Sequence, residues 1–118
     1  MDMVKFILSQ GGGIAGNHFN VSRFPAEGIQ NSINPVWRTS ISNALLGLLY
    51  NYENFTANYA IQDQMTDVLI PATKAITPGG GSSINEAGFR DPDWKTAFYG
   101  ENYATPKSSK EKYDPTHV

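Results

Sequence analysis

"VKFILSQGGGIAG" (Val4–Gly16) is the stretch on which the reading of the fold turns. A short apolar run leads into glycines at 11, 13 and 16, the spacing of a loop that cradles a dinucleotide pyrophosphate. Such a loop works only where a helix starts at the third glycine, because the free N–H groups and the dipole hold the phosphates. It also needs an acidic residue about 20 positions further on. Neither follows. "NHFNVSRFPAEG" (Asn17–Gly28) has no helical apolar stripe, and Pro25 interrupts it. Glu27 comes too early, and Pro35, Val36 and Trp37 stand where the acid should be. A Gly-Lys-Ser/Thr phosphate loop is also absent. The stretch therefore reads as a strand over Val4–Leu8, with the β-branched Val4 and Ile7, closed by a tight glycine turn. That sets aside a nucleotide-binding α/β fold.

Outward from this stretch, Asn17–Pro35 is polar and reads as a long loop. Val36–Tyr50 is ambiguous: "VWRTSIS" alternates like a strand, while Trp37, Ile41, Leu45 and Leu48 also fit one helical face. Thr56–Ile76 is the clearest helix. Ile61, Met65, Val68, Leu69, Ala72 and Ile76 share a face, and Pro71 predicts a kink or break near Ile70. "TPGGGSS" (Thr77–Ser83) stops that helix, and "INEAGF" reads as a short strand. "DPDWKTAFYG" has the signals of a short helix, with Asp91 or Asp93 as N-cap and Gly100 as the stop. Order beyond Glu101 is not expected, since the tail is polar and carries Pro106 and Pro115. The fold class expected is α+β: a partial antiparallel sheet, one long helix kinked at Pro71, and short C-terminal helices. The chain divides at residue 80 into a 1–80 portion and an 81–118 portion.

Composition narrows the function classes. The chain has 118 residues, 40% of them hydrophobic, a formal charge of −2 and a pI near 5.5, so it offers no basic nucleic-acid surface. No apolar run approaches the ~20 residues of a membrane span. Without cysteine there is no thiolate chemistry and no Cys-based zinc site, and the compartment stays open. His18 and His117 have no companion ligands at metal spacing, so no metal site is expected. Asn20-Val21-Ser22 and Asn54-Phe55-Thr56 match the glycosylation sequon and, with no leader in view, read as chance matches. Among the acidic residues near aromatics, Glu86 sits among small and apolar neighbours. That is the setting in which a carboxylate can be tuned into a base.

The segment "INEAGFRDPDWKTAFYGENYA…KEKYDPTHV" adds a resemblance. Asn85-Glu86-Ala87, Pro92-Asp93-Trp94, Phe98-Tyr99-Gly100, Asn102-Tyr103 and Lys112-Tyr113-Asp114-Pro115 follow one another in an order and spacing similar to the berberine-bridge-type C-terminal segment of fungal FAD-linked oxidases. "GGG", "NPVWR" (Asn34–Arg38) and the helix before "TPGGGSS" resemble the preceding part of the family's substrate domain. The resemblance implies a sheet laid over a flavin that another domain holds, and oxidation of an alcohol, amine or natural product by hydride transfer to FAD. It implies Glu86 as the catalytic base and Asn85 as a residue facing the cofactor. It also implies a small-molecule substrate and a FAD-binding domain or chain as partner. Ser83, where the family usually has Tyr, and "TPKSS" (Thr105–Ser109), in place of an apolar helical stretch, depart from the pattern. Two alternatives follow from those departures: a non-enzymatic remnant, and an interaction module that pairs with a separate FAD-binding chain.

Overall fold

The computed structural model describes residues 2–23 and 31–117. The chain forms two compact units, each assembled from separated stretches of sequence. One holds Met1–His18, Ser42–Pro78 and Gly88–Asp91; the other holds Phe19–Ile41, Gly79–Ala87 and Pro92–Val118. Part of the loop read over Asn17–Pro35 lies outside the described residues.

The first unit begins with a helix, α1 (Met3–Ser9), where the apolar run reads as a strand. The correction has a local cause. Asp2 caps the first turn, its Oδ1 accepting from the Val4 N–H at 3.1 Å, and Ile7 is fully buried. Val4, Ile7 and Leu8 stand three and four residues apart, so the same apolar residues suit one helical face as well as a strand. Gly11, with φ of 75°, ends the helix, and its N–H donates to the Leu8 carbonyl at 3.0 Å. The tight turn is therefore made by Gly11 alone. The other glycines enter strand β1 (Gly12–His18).

β1 pairs antiparallel with β2 (Ser42–Leu48), in register from Gly12 opposite Leu48 to His18 opposite Ser42. The ambiguity over Val36–Tyr50 is resolved by hydroxyl groups. A 3₁₀ turn runs over Pro35–Arg38. The Oγ1 of Thr39 and the Oγ of Ser40 then donate to the Val36 carbonyl at 3.1 and 2.8 Å. These local bonds compete with helix propagation, and the chain leaves the turn as a strand.

The long helix forms as expected, as α2 (Phe55–Gln64), a π turn (Met65–Leu69) and α3 (Ile70–Ile76). Pro71 has no N–H, and its ring crowds the carbonyl four residues back. The wider turn absorbs this: the Ile70 N–H donates to the Met65 carbonyl, five residues back. Leu69 in that turn is fully buried. Arg90 donates to Asp63 at 2.6 Å, and Lys74 pairs with the buried Asp91 at 2.7 Å, so Gly88–Asp91 is clipped along the helix at two points. The Asp63 hydrogen bond, reinforced by the charges of Asp63 and Asp67 against some desolvation, pushes the Arg90 guanidinium pKa up.

Asn58 is buried near the start of the same helix. Its Oδ1 accepts from the Asn51 N–H at 2.8 Å, and its Nδ2 donates to the Asn51 carbonyl at 2.9 Å. This fixes the loop that leads from β2 into α2. Asn58→Ala is expected to cost about 1 kcal/mol, because the partner groups regain water. The shift of the urea midpoint measures it.

The second unit carries α4 (Trp94–Tyr99), a 3₁₀ turn (Gly100–Tyr103) and α5 (Ala104–Tyr113). The short helix ends at Gly100 as its sequence signals, while Asp93 stands at the N-cap position with no side-chain capping bond and Asp91 pairs with Lys74. Two expectations need correction. "INEAGF" is a turn, in which the Glu86 N–H donates to the Ser83 carbonyl at 3.1 Å. The polar tail forms a helix over Ala104–Tyr113. Pro106 is its third residue, inside the first turn, where no intrahelical donor is required. Lys107–Glu111 at 3.7 Å and Lys110–Asp114 add pairs four residues apart. No residue of α5 is buried, as the missing apolar stripe implies.

The whole is α+β, with a two-stranded antiparallel sheet among the described residues, one long helix broken at Pro71, and short C-terminal helices. No helix among the described residues is long and apolar enough to cross a membrane.

Candidate functional site

The second unit brings three separated stretches together around one side chain, Asn34. Asn34 N-caps the 3₁₀ turn, its Oδ1 accepting from the Val36 N–H at 3.1 Å. Its Nδ2 donates to the carbonyls of Thr96 and Ala97 at 3.1 and 2.9 Å, and the residue is 6% exposed. The Ala97 carbonyl also accepts from the Ser82 N–H at 2.9 Å. One buried amide thus fastens the "NPVWR" turn to the end of α4, and α4 holds the start of the segment leading to Asn85 and Glu86. Asn102 adds a second tie, its Nδ2 donating to the Ile33 carbonyl at 2.7 Å.

Gly100 makes the close approach possible. Its backbone lies at φ 56° and ψ −132°, a region nearly restricted to glycine, and an added Cβ would fall 2.8 Å from the Asn34 Oδ1. Gly100→Ala is expected to lower stability by about 2 kcal/mol through strain and that clash. Thermal unfolding of the variant beside the parent chain checks it.

An open cleft of about 1250 Å³ lies within this unit. Trp37 and Arg38 line it from the 3₁₀ turn, Ser83 and Asn85 from the connecting segment, and Tyr99 and Asn102 from the far side. Among the described residues the wall therefore offers the cation Arg38, the carboxylate Glu101, several amide and hydroxyl groups, and flat aromatic faces. Phe19 stacks on Trp37 with ring centroids 5.1 Å apart. Asn85 is an exposed member of the lining, in the turn over Ile84–Glu86. Glu86 follows it in the same turn, is exposed, and is not among the residues that line the cleft.

The residues present fit one part of a flavin dinucleotide and not the rest. Amide, hydroxyl and aromatic groups around the cleft suit the edge and face of a flat polar ring. The glycine stretch cannot cradle a pyrophosphate, since Gly12, Gly13 and Gly16 lie within β1 and are paired with β2. Among the described residues no three His, Asp or Glu side chains converge on a metal position. His18 ends β1, and His117 lies past α5.

Sequence reading missed Asn34, Arg38, Tyr99 and Asn102 as a group. The signals were present in part: an Asn before Pro35, which is a capping pattern, and a glycine after "AFY". Their convergence was not encoded locally, because the Asn34 partners lie 62 and 63 residues away.

No family model matches the chain. Its homologues are fungal FAD-linked oxidoreductases, VAO-type flavoproteins among them. The chain is 39% identical over 87 residues to the FAD-linked oxidoreductase ZEB1 of Gibberella zeae, a stretch covering 73% of this chain and 15% of that protein. It is 35% identical over 115 residues to the FAD-linked oxidoreductase patO of Aspergillus clavatus, covering 97% of this chain and 20% of that protein. Against the VAO-type flavoprotein oxidase VAO615 of Thermothelomyces thermophilus it is 36% identical over 89 residues, which cover 75% of this chain and 16% of the relative. Among solved structures, the VAO-type flavoprotein MtVAO713 from Myceliophthora thermophila C1 superposes with a TM-score of 0.73 at 28% identity, over 89% of this chain and 19% of that one. The chain spans about a fifth or less of the length of the relatives it matches.

Proposed function

We propose that this chain forms part of the substrate domain of a FAD-dependent oxidoreductase of the berberine-bridge type, with 1–80 contributing the substrate-domain portion and 81–118 the C-terminal segment. The observation that carries the proposal is the likeness to patO, a FAD-linked oxidoreductase by name, over 97% of this chain. The substrate class is a small alcohol, amine or related natural product.

FAD, held by a further domain or chain, supplies the hydride acceptor when bound. The chain's own share is positioning and proton transfer. Asn85, which lines the cleft, would meet the cofactor edge through its amide. Glu86, next to it, would take the hydroxyl or amine proton while the hydride leaves the substrate carbon, so that the two electrons and two protons lost in the oxidation are accounted for, one proton on Glu86 and the other within the hydride. Trp37 and Tyr99 supply flat aromatic faces for the substrate, and Arg38 and Glu101 bring charges of opposite sign to the lining.

The exposed large apolar side chains favour a second reading of the same chain as an interaction module. Leu49 and Phe89 are each more than four-fifths exposed, a pattern expected of apolar groups that another chain or domain covers.

The test is reconstitution. The chain is co-expressed with the FAD-binding portion of a close relative that lacks the corresponding residues, and the pair is purified through a tag on this chain. Flavin absorbance that co-purifies, and oxygen uptake with aromatic or allylic alcohols, is the expected result. A complex that forms, carries flavin and oxidises no substrate supports the interaction module over the enzyme. A tagged chain that brings down neither partner nor flavin sinks both.

A further inference from the structure

We propose that Asn54 is an N-glycan acceptor, and that the surrounding aromatic side chains receive the first sugars. The motif is Asn54-Phe55-Thr56, which has the amide and the hydroxyl two residues on that the transferase recognises. By sequence alone it is one of two equal matches. The structure separates them.

At Asn20 the sequon is folded onto itself. The Asn20 Oδ1 accepts from both the Ser22 N–H at 3.1 Å and the Ser22 hydroxyl at 2.7 Å, so the hydroxyl is already engaged. At Asn54 the groups are divided differently. Its Oδ1 accepts from the Ala57 N–H at 3.0 Å and caps α2, while neither its Nδ2 nor the Thr56 hydroxyl makes a hydrogen bond among the described residues. Both residues are exposed. Glycosylation uses Nδ2 and leaves Oδ1 an amide oxygen. The helix cap therefore survives the modification.

The second observation is the surface around this amide. Tyr52, two residues before Asn54, is 84% exposed, and Phe55, next to Asn54 in sequence, is 68% exposed. Tyr50 joins them edge-on, with ring centroids 5.2 Å from Tyr52 and 6.2 Å from Phe55. Hexoses present a C–H-rich face that packs on aromatic rings, and a cluster of exposed aromatics is costly to leave in water. A glycan rooted at Asn54 meets both conditions at once.

The chemistry balances with one co-reactant, a polyprenyl-diphosphate-linked oligosaccharide. Asn54 Nδ2 forms a bond to the anomeric carbon, and the bond from that carbon to the diphosphate oxygen breaks. The lipid diphosphate leaves with the electron pair, and the amide proton passes to a base of the transferase. The inference is independent of the oxidoreductase reading.

In the experiment, the full chain carrying Asn20→Gln is made in yeast behind a cleavable leader, with a control acceptor sequence in the linker after the leader. Total cell extract is examined, so retention inside the cell does not hide the product. The expected result is a glycan on both the control acceptor and Asn54, removed by peptide:N-glycosidase with conversion of Asn54 to Asp in the peptide masses. Thr56→Ala, which leaves the cap in place, is expected to abolish the modification at Asn54, and Thr56→Ser to retain it in part. Tyr52→Ser is expected to reduce occupancy. A glycan on the control acceptor with none at Asn54 overturns the proposal. Occupancy unchanged by Tyr52→Ser overturns the role given to the aromatic surface.

Discussion

Glu86→Gln is expected to lower turnover of the reconstituted, flavin-bearing enzyme by about 10²–10⁴-fold, the usual contribution of a positioned general base. The substitution is a clean one. Glu86 is exposed, and its described link to the fold is a backbone one, the N–H donating to the Ser83 carbonyl at 3.1 Å. Gln keeps the length and shape of the side chain and leaves that bond intact. Only the capacity to take a proton is lost. Flavin reduction followed by stopped flow should therefore slow, while substrate affinity stays near the parent value. Asn85→Ala separates the two neighbours: it should weaken flavin retention without removing the base. Unchanged flavin reduction in Glu86→Gln would show that another group takes the proton.

Asn34→Ala is expected to cost about 3 kcal/mol, the largest stability effect of a single substitution proposed for this chain. Three hydrogen bonds are lost at once, from the Val36 N–H and to the carbonyls of Thr96 and Ala97; the two carbonyls keep the Gly100 and Ser82 N–H groups, while the Val36 N–H loses its described partner. Asn34 is 6% exposed, so water does not readily take its place. Asn34→Asp tests the chemistry rather than the volume. It keeps an acceptor for Val36 but sets a carboxylate against two carbonyl oxygens, so it should be nearly as damaging. The urea midpoint gives the size of the effect. Amide exchange gives its location, with faster exchange expected at Val36 and at Ser82, whose own acceptor is the Ala97 carbonyl. A midpoint within experimental error of the parent would mean that Asn34 does not hold these stretches together.

Elements governed by neighbouring residues were legible. The long helix announced itself through the spacing of Ile61, Met65, Leu69 and Ala72, and Pro71 marked where its ladder changes. The short helix ending at Gly100 was equally plain. Val4–Leu8 was misread because β-branching and apolar character suit both a strand and a helix face, and the deciding contact is the Asp2 cap. "INEAGF" has the composition of a strand, yet its Ser83 carbonyl is taken up locally by Glu86. α5 was missed because a polar, Pro-containing segment gives no apolar period, although Pro106 falls where a helix tolerates it.

For the candidate site the division is sharper. The order of short motifs from Asn85 to Pro115 gave the family likeness and nominated Asn85 and Glu86, since such motifs are contiguous in sequence. The cleft and the hub at Asn34 came only from the tertiary structure, the Asn34 acceptors lying 62 and 63 residues along the chain. A side chain's hydrogen-bond partners and its exposure depend on residues tens of positions away, and no local pattern of propensity or periodicity carries that information.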